Sequence, residues 1–138
     1  MIEQAGQDSC CRATHRILTR EELSKLDAHP LTEIGAHTVT HPLLAAQTPE
    51  QQFSEIVDSR AYLADALDRP VTSFSYPYGG KHHYSPDSVR FAWEAGYSRA
   101  CTTEPCAIRP QHSPYEWGRL NVTDMDGAAF EKFLAGVA

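Results

Sequence analysis

The sequence predicts an α/β fold in which short parallel strands alternate with helices, built as an incomplete (β/α) barrel. Three observations predict it. Strand-like and helix-like segments follow one another as helix, strand, helix, strand, helix, strand, loop, strand, helix. Capping signatures mark the helix starts at Thr19, Thr48 and Ser85. The two stretches richest in chemistry, AHTVTH and YPYGG, each follow a strand, where parallel α/β sheets place their ligands. The expected strands are too few to close a barrel.

Residues 1–18 are polar and aperiodic and read as a loose leader, which leaves 19–138 as one domain. Thr19 with Glu22 has capping-box spacing, and Leu23 and Leu26 supply the buried stripe of a short helix. LTEIGAH is expected to be a short buried strand whose Gly35 admits another backbone closely. Thr48, Pro49 and Gln51 open the longest helix, with Phe53, Ile56, Val57, Leu63, Ala64 and Leu67 on one face. That helix must stop between Asp68 and Pro70. VTSFSYPYGG is a strand ending in a turn, and Ser85-Pro86-Asp87 starts a third helix that turns Val89, Ala92 and Trp93 inward before Gly96 closes it. GYSRACTT and RLNVTD are the remaining strands. Asp124 or Asp126 caps a last helix carrying Phe130, Phe133 and Leu134. Phe74, Tyr76, Phe91, Trp93 and Tyr97 fit a core better than a sugar platform.

Composition excludes several classes of function. A net charge of -6 argues against an extended phosphate-binding surface, so nucleic acid is not an expected partner. No stretch has the length of a signal peptide's apolar region or a membrane span, which points to a cytoplasmic chain. Cys10, Cys11, Cys101 and Cys106 match neither a zinc-site spacing nor a disulfide framework and are expected to be free thiols.

His37 and His41 stand four apart after a strand, with Gly35 before them and Pro42 after. If residues 37–41 coil as a turn, both imidazoles face one side and suit zinc or a similar divalent ion. The spacing alone equally describes two imidazoles that bond locally or face water.

IGAHTVTHPLL resembles the second motif of the polysaccharide deacetylase family, the NodB-homology domain. EIVDSRAYLADAL, FSYPYGG, AGYSRACTT and GRLNVTDMD follow in the family's order, so the similarity runs from about Thr19 to the C-terminus. The resemblance implies a barrel of the NodB type and a metal-dependent hydrolase that removes acetyl groups from N-acetylated polysaccharide or oligosaccharide. It makes His37 and His41 ligands of a divalent metal, commonly zinc, and Tyr78 the backbone donor to the oxyanion, with Pro77 shaping its turn. Trp117, beside Tyr115, is a candidate for stacking on a sugar ring or for a lid on the rim.

The chain also departs from the family. The family's metal-binding and base aspartates come from a TFDDG-like strand end before the histidines, and no Asp-Asp pair occurs here. Ser75 stands where many relatives carry an arginine that orients the catalytic carboxylate, a task Arg119 is placed to take over. Leu120-Asn121-Val122 lies where relatives have an acid histidine, which leaves His82, His83 and His112 as candidates for that role. Two functions therefore stand side by side: a deacetylase, and a catalytically inactive module that binds metal or carbohydrate. An incomplete barrel exposes sheet edges, so a homo-oligomer or a partner completing the barrel is expected.

Overall fold

A computed structural model describes residues 16–136, and these divide between two compact units, Met1–Thr32 and Glu33–Ala138. Most of the expected leader, with Cys10 and Cys11, lies outside the described residues.

The first unit contains helix α1, Arg20–Asp27. Its capping box forms as expected: the Thr19 hydroxyl accepts from the Glu22 N–H while the Glu22 carboxylate accepts from the Thr19 N–H. Arg16 pairs with the same carboxylate and, with Thr19, holds it down to about 2. The expected buried stripe is not there. No residue of α1 is buried and Leu26 is 42% exposed, because periodicity names the face a helix can bury but not a partner to cover it.

The second unit is built on two parallel strands, β1 (Ser73–Ser75) and β2 (Arg99–Cys101), paired Ser73 to Arg99 through Ser75 to Cys101. Single parallel bridges widen the sheet on both sides, Ala36 to Phe74 and Cys101 to Trp117. The strand expected over LTEIGAH thus shrinks to its Ala36. Gly35 does allow the predicted approach, since a Cβ there would stand 3.1 Å from the Ser73 carbonyl oxygen. RLNVTD is not a strand. Pairing occurs before it, at Trp117, and the Arg119 N–H then bonds the Glu104 carbonyl at 3.0 Å, beyond the end of β2.

Helices α2 (Pro49–Leu67) and α3 (Pro86–Glu94) pack on each other beside this sheet. Both start with capping boxes, at Thr48 with Gln51 and at Ser85 with Ser88, and both carry proline in the first turn. α2 ends at Asp68, in the left-handed conformation at φ 51, as a helix C-terminus permits. The buried Gln52 joins the two helices by accepting from the hydroxyls of Ser85 (2.9 Å) and Ser88 (2.6 Å). Leu44, Ile56, Val71, Phe74, Tyr76 and Tyr97 are among the fully buried residues of the core. Trp93 does not join it. α3 buries Ser88, Phe91 and Ala92, spaced three and four apart, and the next position turns the Trp93 ring to solvent at 62% exposure.

Asp126 caps helix α4, Gly127–Ala135, but no residue of α4 is buried. Cys101 and Cys106 are free thiols. Among the described residues no helix is long and apolar enough to cross a membrane.

Candidate metal and oxyanion site

The chemistry-bearing groups gather where the sheet's segments end. His37 directly follows the bridge residue Ala36, and its Nδ1 lies 2.6 Å from the Ser75 carbonyl oxygen at the end of β1. A carbonyl only accepts, so Nδ1 is the donor, and in a neutral imidazole this leaves the Nε2 lone pair free, the tautomer suited to a metal ligand.

His41 reaches His37 by an unexpected route. Residues 37–41 do not coil as a helical turn: Thr38 (φ 66) and His41 (φ 58) both take left-handed backbone conformations. The two rings meet edge to face with centroids 4.8 Å apart. The Thr38 hydroxyl accepts from the His41 N–H at 3.1 Å. Glu55, from α2, closes the loop by accepting from the Val39 N–H (2.7 Å), the Thr40 N–H (2.9 Å) and the Thr40 hydroxyl (2.5 Å). Burial pushes the Glu55 carboxyl up, but the bonds from Thr40 and Val39 outweigh it and hold it below the usual carboxylate range.

The second rim element is the turn after β1. Pro77 is buried, Tyr78 is in the left-handed region (φ 61), and the Gly79 N–H donates back to the Pro77 carbonyl at 2.7 Å, a tight three-residue turn. Thr103, beyond β2, fastens it: its N–H donates to the Gly79 carbonyl (2.9 Å) and its hydroxyl to the Tyr78 carbonyl (2.8 Å). The Tyr78 N–H donates to no group among the described residues. The Tyr78 ring lies 4.9 Å from the His41 ring and 5.5 Å from the His83 ring. Of the four non-glycine residues with positive φ among those described, Asp68 caps a helix and the other three belong to this site. Backbone strain is concentrated at the rim.

A cavity of about 600 Å³ opens beside these groups, lined by His37, Ser75, Tyr78, Thr103 and Arg119 among others. Arg119 is held by its Nε, which donates to the Thr102 carbonyl at 2.7 Å. Glu33 also lines the cavity, but Arg99 and the Ser73 hydroxyl already engage its carboxylate at the opposite end of the strands. The Ser75 hydroxyl oxygen is buried without a hydrogen-bond partner.

The structure therefore brings His37, His41 and Tyr78 together, with Pro77 behind the turn and Arg119 on the cavity wall. Trp117 is not among the residues lining that cavity; its backbone serves as the sheet's last bridge. His112 lines a different cavity with Lys81 and Glu104. His83 accepts from the Gly80 N–H at 3.1 Å through Nδ1. Sequence reasoning missed Glu55 and Thr103. The only sign of Glu55 was an acidic residue next to Ile56 on the packed helix, and Thr103 gave none.

The sequence matches the family described as polysaccharide deacetylase over residues 3–100. The chain belongs to the polysaccharide deacetylase family. The match begins within the segment read as a leader. YxkH of Bacillus subtilis, whose name also places it among the polysaccharide deacetylases, is 32% identical over 118 residues, which are 85% of this chain and 41% of that protein. Two solved structures share the fold. The Streptococcus pyogenes deacetylase PplD in complex with acetate superposes with a TM-score of 0.75 at 22% identity, over 88% of this chain and 51% of that one. IcaB from Ammonifex degensii gives 0.72 at 22% identity, over 95% and 57%. This chain is thus a partial NodB-type (β/α) barrel that spans roughly half of each of those structures and less than half of YxkH.

The residues present fit a divalent ion only in part. The imidazole pair would supply two nitrogen donors, one of them with its Nδ1 engaged by the Ser75 carbonyl. Among the described residues no group of three His, Cys, Asp or Glu side chains could hold a metal ion.

Proposed function

We propose that this chain carries the histidine and oxyanion half of a metal-dependent active site that hydrolyses the acetamide C–N bond of N-acetylated polysaccharide or oligosaccharide. The observation that carries the reading is the meeting of His37, His41 and Tyr78, with ring centroids under 5 Å apart along the series, at the ends of adjacent parallel segments. His37 and His41 would hold a divalent ion such as zinc, which when bound supplies Lewis-acid polarisation of the acetyl carbonyl. The Tyr78 N–H, which donates to no backbone carbonyl among the described residues, would donate to the oxyanion that develops as water's hydroxyl adds to the acetyl carbon. The C–N bond then breaks, acetate leaves and the nitrogen takes up the proton. Arg119 offers a cation on the cavity wall to orient a carboxylate base, and Trp117 a ring at the edge of the sheet for the sugar. Among the described residues nothing completes the pair, so this reading needs its third metal ligand and its base from elsewhere in the full chain or from a second copy of it.

The lack of a three-donor group among the described residues favours a second reading, a module that binds metal or carbohydrate without hydrolysis. Zinc binding and acetate release from chitooligosaccharides separate the two. The first reading expects both in the full chain and neither in His37→Ala. Zinc retained without acetate release supports the module, and no zinc binding by the wild-type chain rejects both metal readings.

A further inference from the structure

Burial does not hold the histidine loop in shape. Between the buried Ala36 and Leu44 no residue is buried, and Val39 is 58% exposed. Two of its residues sit in a backbone region that side chains disfavour. Hydrogen bonds must therefore do the holding, and three of them end on one side chain. Glu55 Oε2 takes both the Val39 and Thr40 N–H groups, while Oε1 takes the Thr40 hydroxyl. Bonds to an ionised carboxylate are roughly twice as strong as neutral ones. The platform beneath is rigid, because Glu55 precedes the fully buried Ile56 and lies on the helix that buries Gln52 and Ser59.

We propose that Glu55 is a positioning residue: its carboxylate fixes the left-handed loop that presents the His37 and His41 imidazoles to one ion. The consequence for metal affinity rests on the reading of that pair as ligands; the consequence for loop order does not. Metal ligands must be held to within about 0.5 Å of the productive geometry, and partners behind the ligands set that tolerance. The shape of the core thus reaches the metal pair through a side chain that touches neither imidazole.

The test uses the full chain in four forms: wild type, Glu55→Ala, Glu55→Gln and the exposed α2 control Asp58→Ala. Zinc affinity is read by competition with a chromophoric chelator. Loop order is read by amide exchange at Val39 and Thr40 without metal. Glu55→Ala is expected to weaken zinc binding by roughly 10- to 100-fold, to speed exchange at both amides, and to leave the urea midpoint near that of Asp58→Ala. Alanine favours helix at this position, so folding is not at risk. Glu55→Gln should recover part of the affinity, since its amide oxygen still accepts both N–H groups. Unchanged affinity in Glu55→Ala overturns the proposal, as does an equal loss in Asp58→Ala. If the wild type takes no zinc, the function proposed above fails and exchange alone decides: faster exchange in Glu55→Ala sustains the positioning role, unaltered exchange overturns it.

Discussion

The histidine loop and helix α4 follow opposite edges of the same small sheet, one after Ala36 and the other after Trp117, and they are held in opposite ways. The loop lacks regular structure yet is fixed at both ends by the core and in the middle by Glu55. α4 is regular, capped by Asp126, and has no fully buried residue. Secondary structure and fixity are therefore separate properties here. Local hydrogen bonds make a helix, but only buried or charge-anchored contacts fix a segment against the rest of the fold.

Substitutions can break that contrast in graded steps. The largest loss should come from the sheet both edges share. Phe74→Ala removes a ring 1% exposed that pairs through its backbone with both Ala36 and Ala100, and should lower unfolding free energy by about 3–5 kcal/mol in urea titrations. Next comes the rim. A Cβ at Gly79, where φ is +67, would stand 2.7 Å from the Thr103 backbone nitrogen, so Gly79→Ala should cost about 1–3 kcal/mol and release Tyr78 from its turn. A loss below half a kcal/mol would show that the turn is not fixed by Thr103. On α4, Leu134→Ala should change stability by no more than about 0.5 kcal/mol, because Leu134 is 44% exposed. A loss of core size there would mean that α4 is packed after all.

The smallest effect is one of pH. Ser73 first, and then Arg99, hold the Glu33 carboxyl below its ordinary 4.5. A lowered carboxyl stabilises the folded state above the unfolded value, and that contribution disappears as pH falls through the folded one. The urea midpoint should therefore drop as pH falls below about 4.5, and Ser73→Ala should flatten the drop. No change in slope would remove Glu33 from the forces holding the first edge.

What the sequence made legible follows the same division. The capping boxes at Thr19 and Thr48 were readable because each is closed by residues three apart, whereas at Ser85 only the start of the helix was readable, from Ser85-Pro86-Asp87, and not its closing partner Ser88. The parallel α/β order and the histidine pair at a strand's end were readable for a similar reason. The route by which His41 meets His37 was not, since its left-handed residues are stabilised by a carboxylate 15 positions on from Thr40. Trp93 misled because α3 buries a stripe centred on Ser88, Phe91 and Ala92, and one step of a helix moves a side chain 100° around it. The last strand failed because pairing needs a neighbour: Trp117 reaches Cys101, whereas Arg119 turns to Glu104.

The acceptor that sets the His37 tautomer is a main-chain oxygen, that of Ser75. Replacing the side chain at 75 cannot delete that oxygen; only moving the strand can. The protonation pattern of this imidazole is thus inherited with the register of β1, sheltered from point mutation at its own partner, and position 75 is left free to vary in what it shows the cavity.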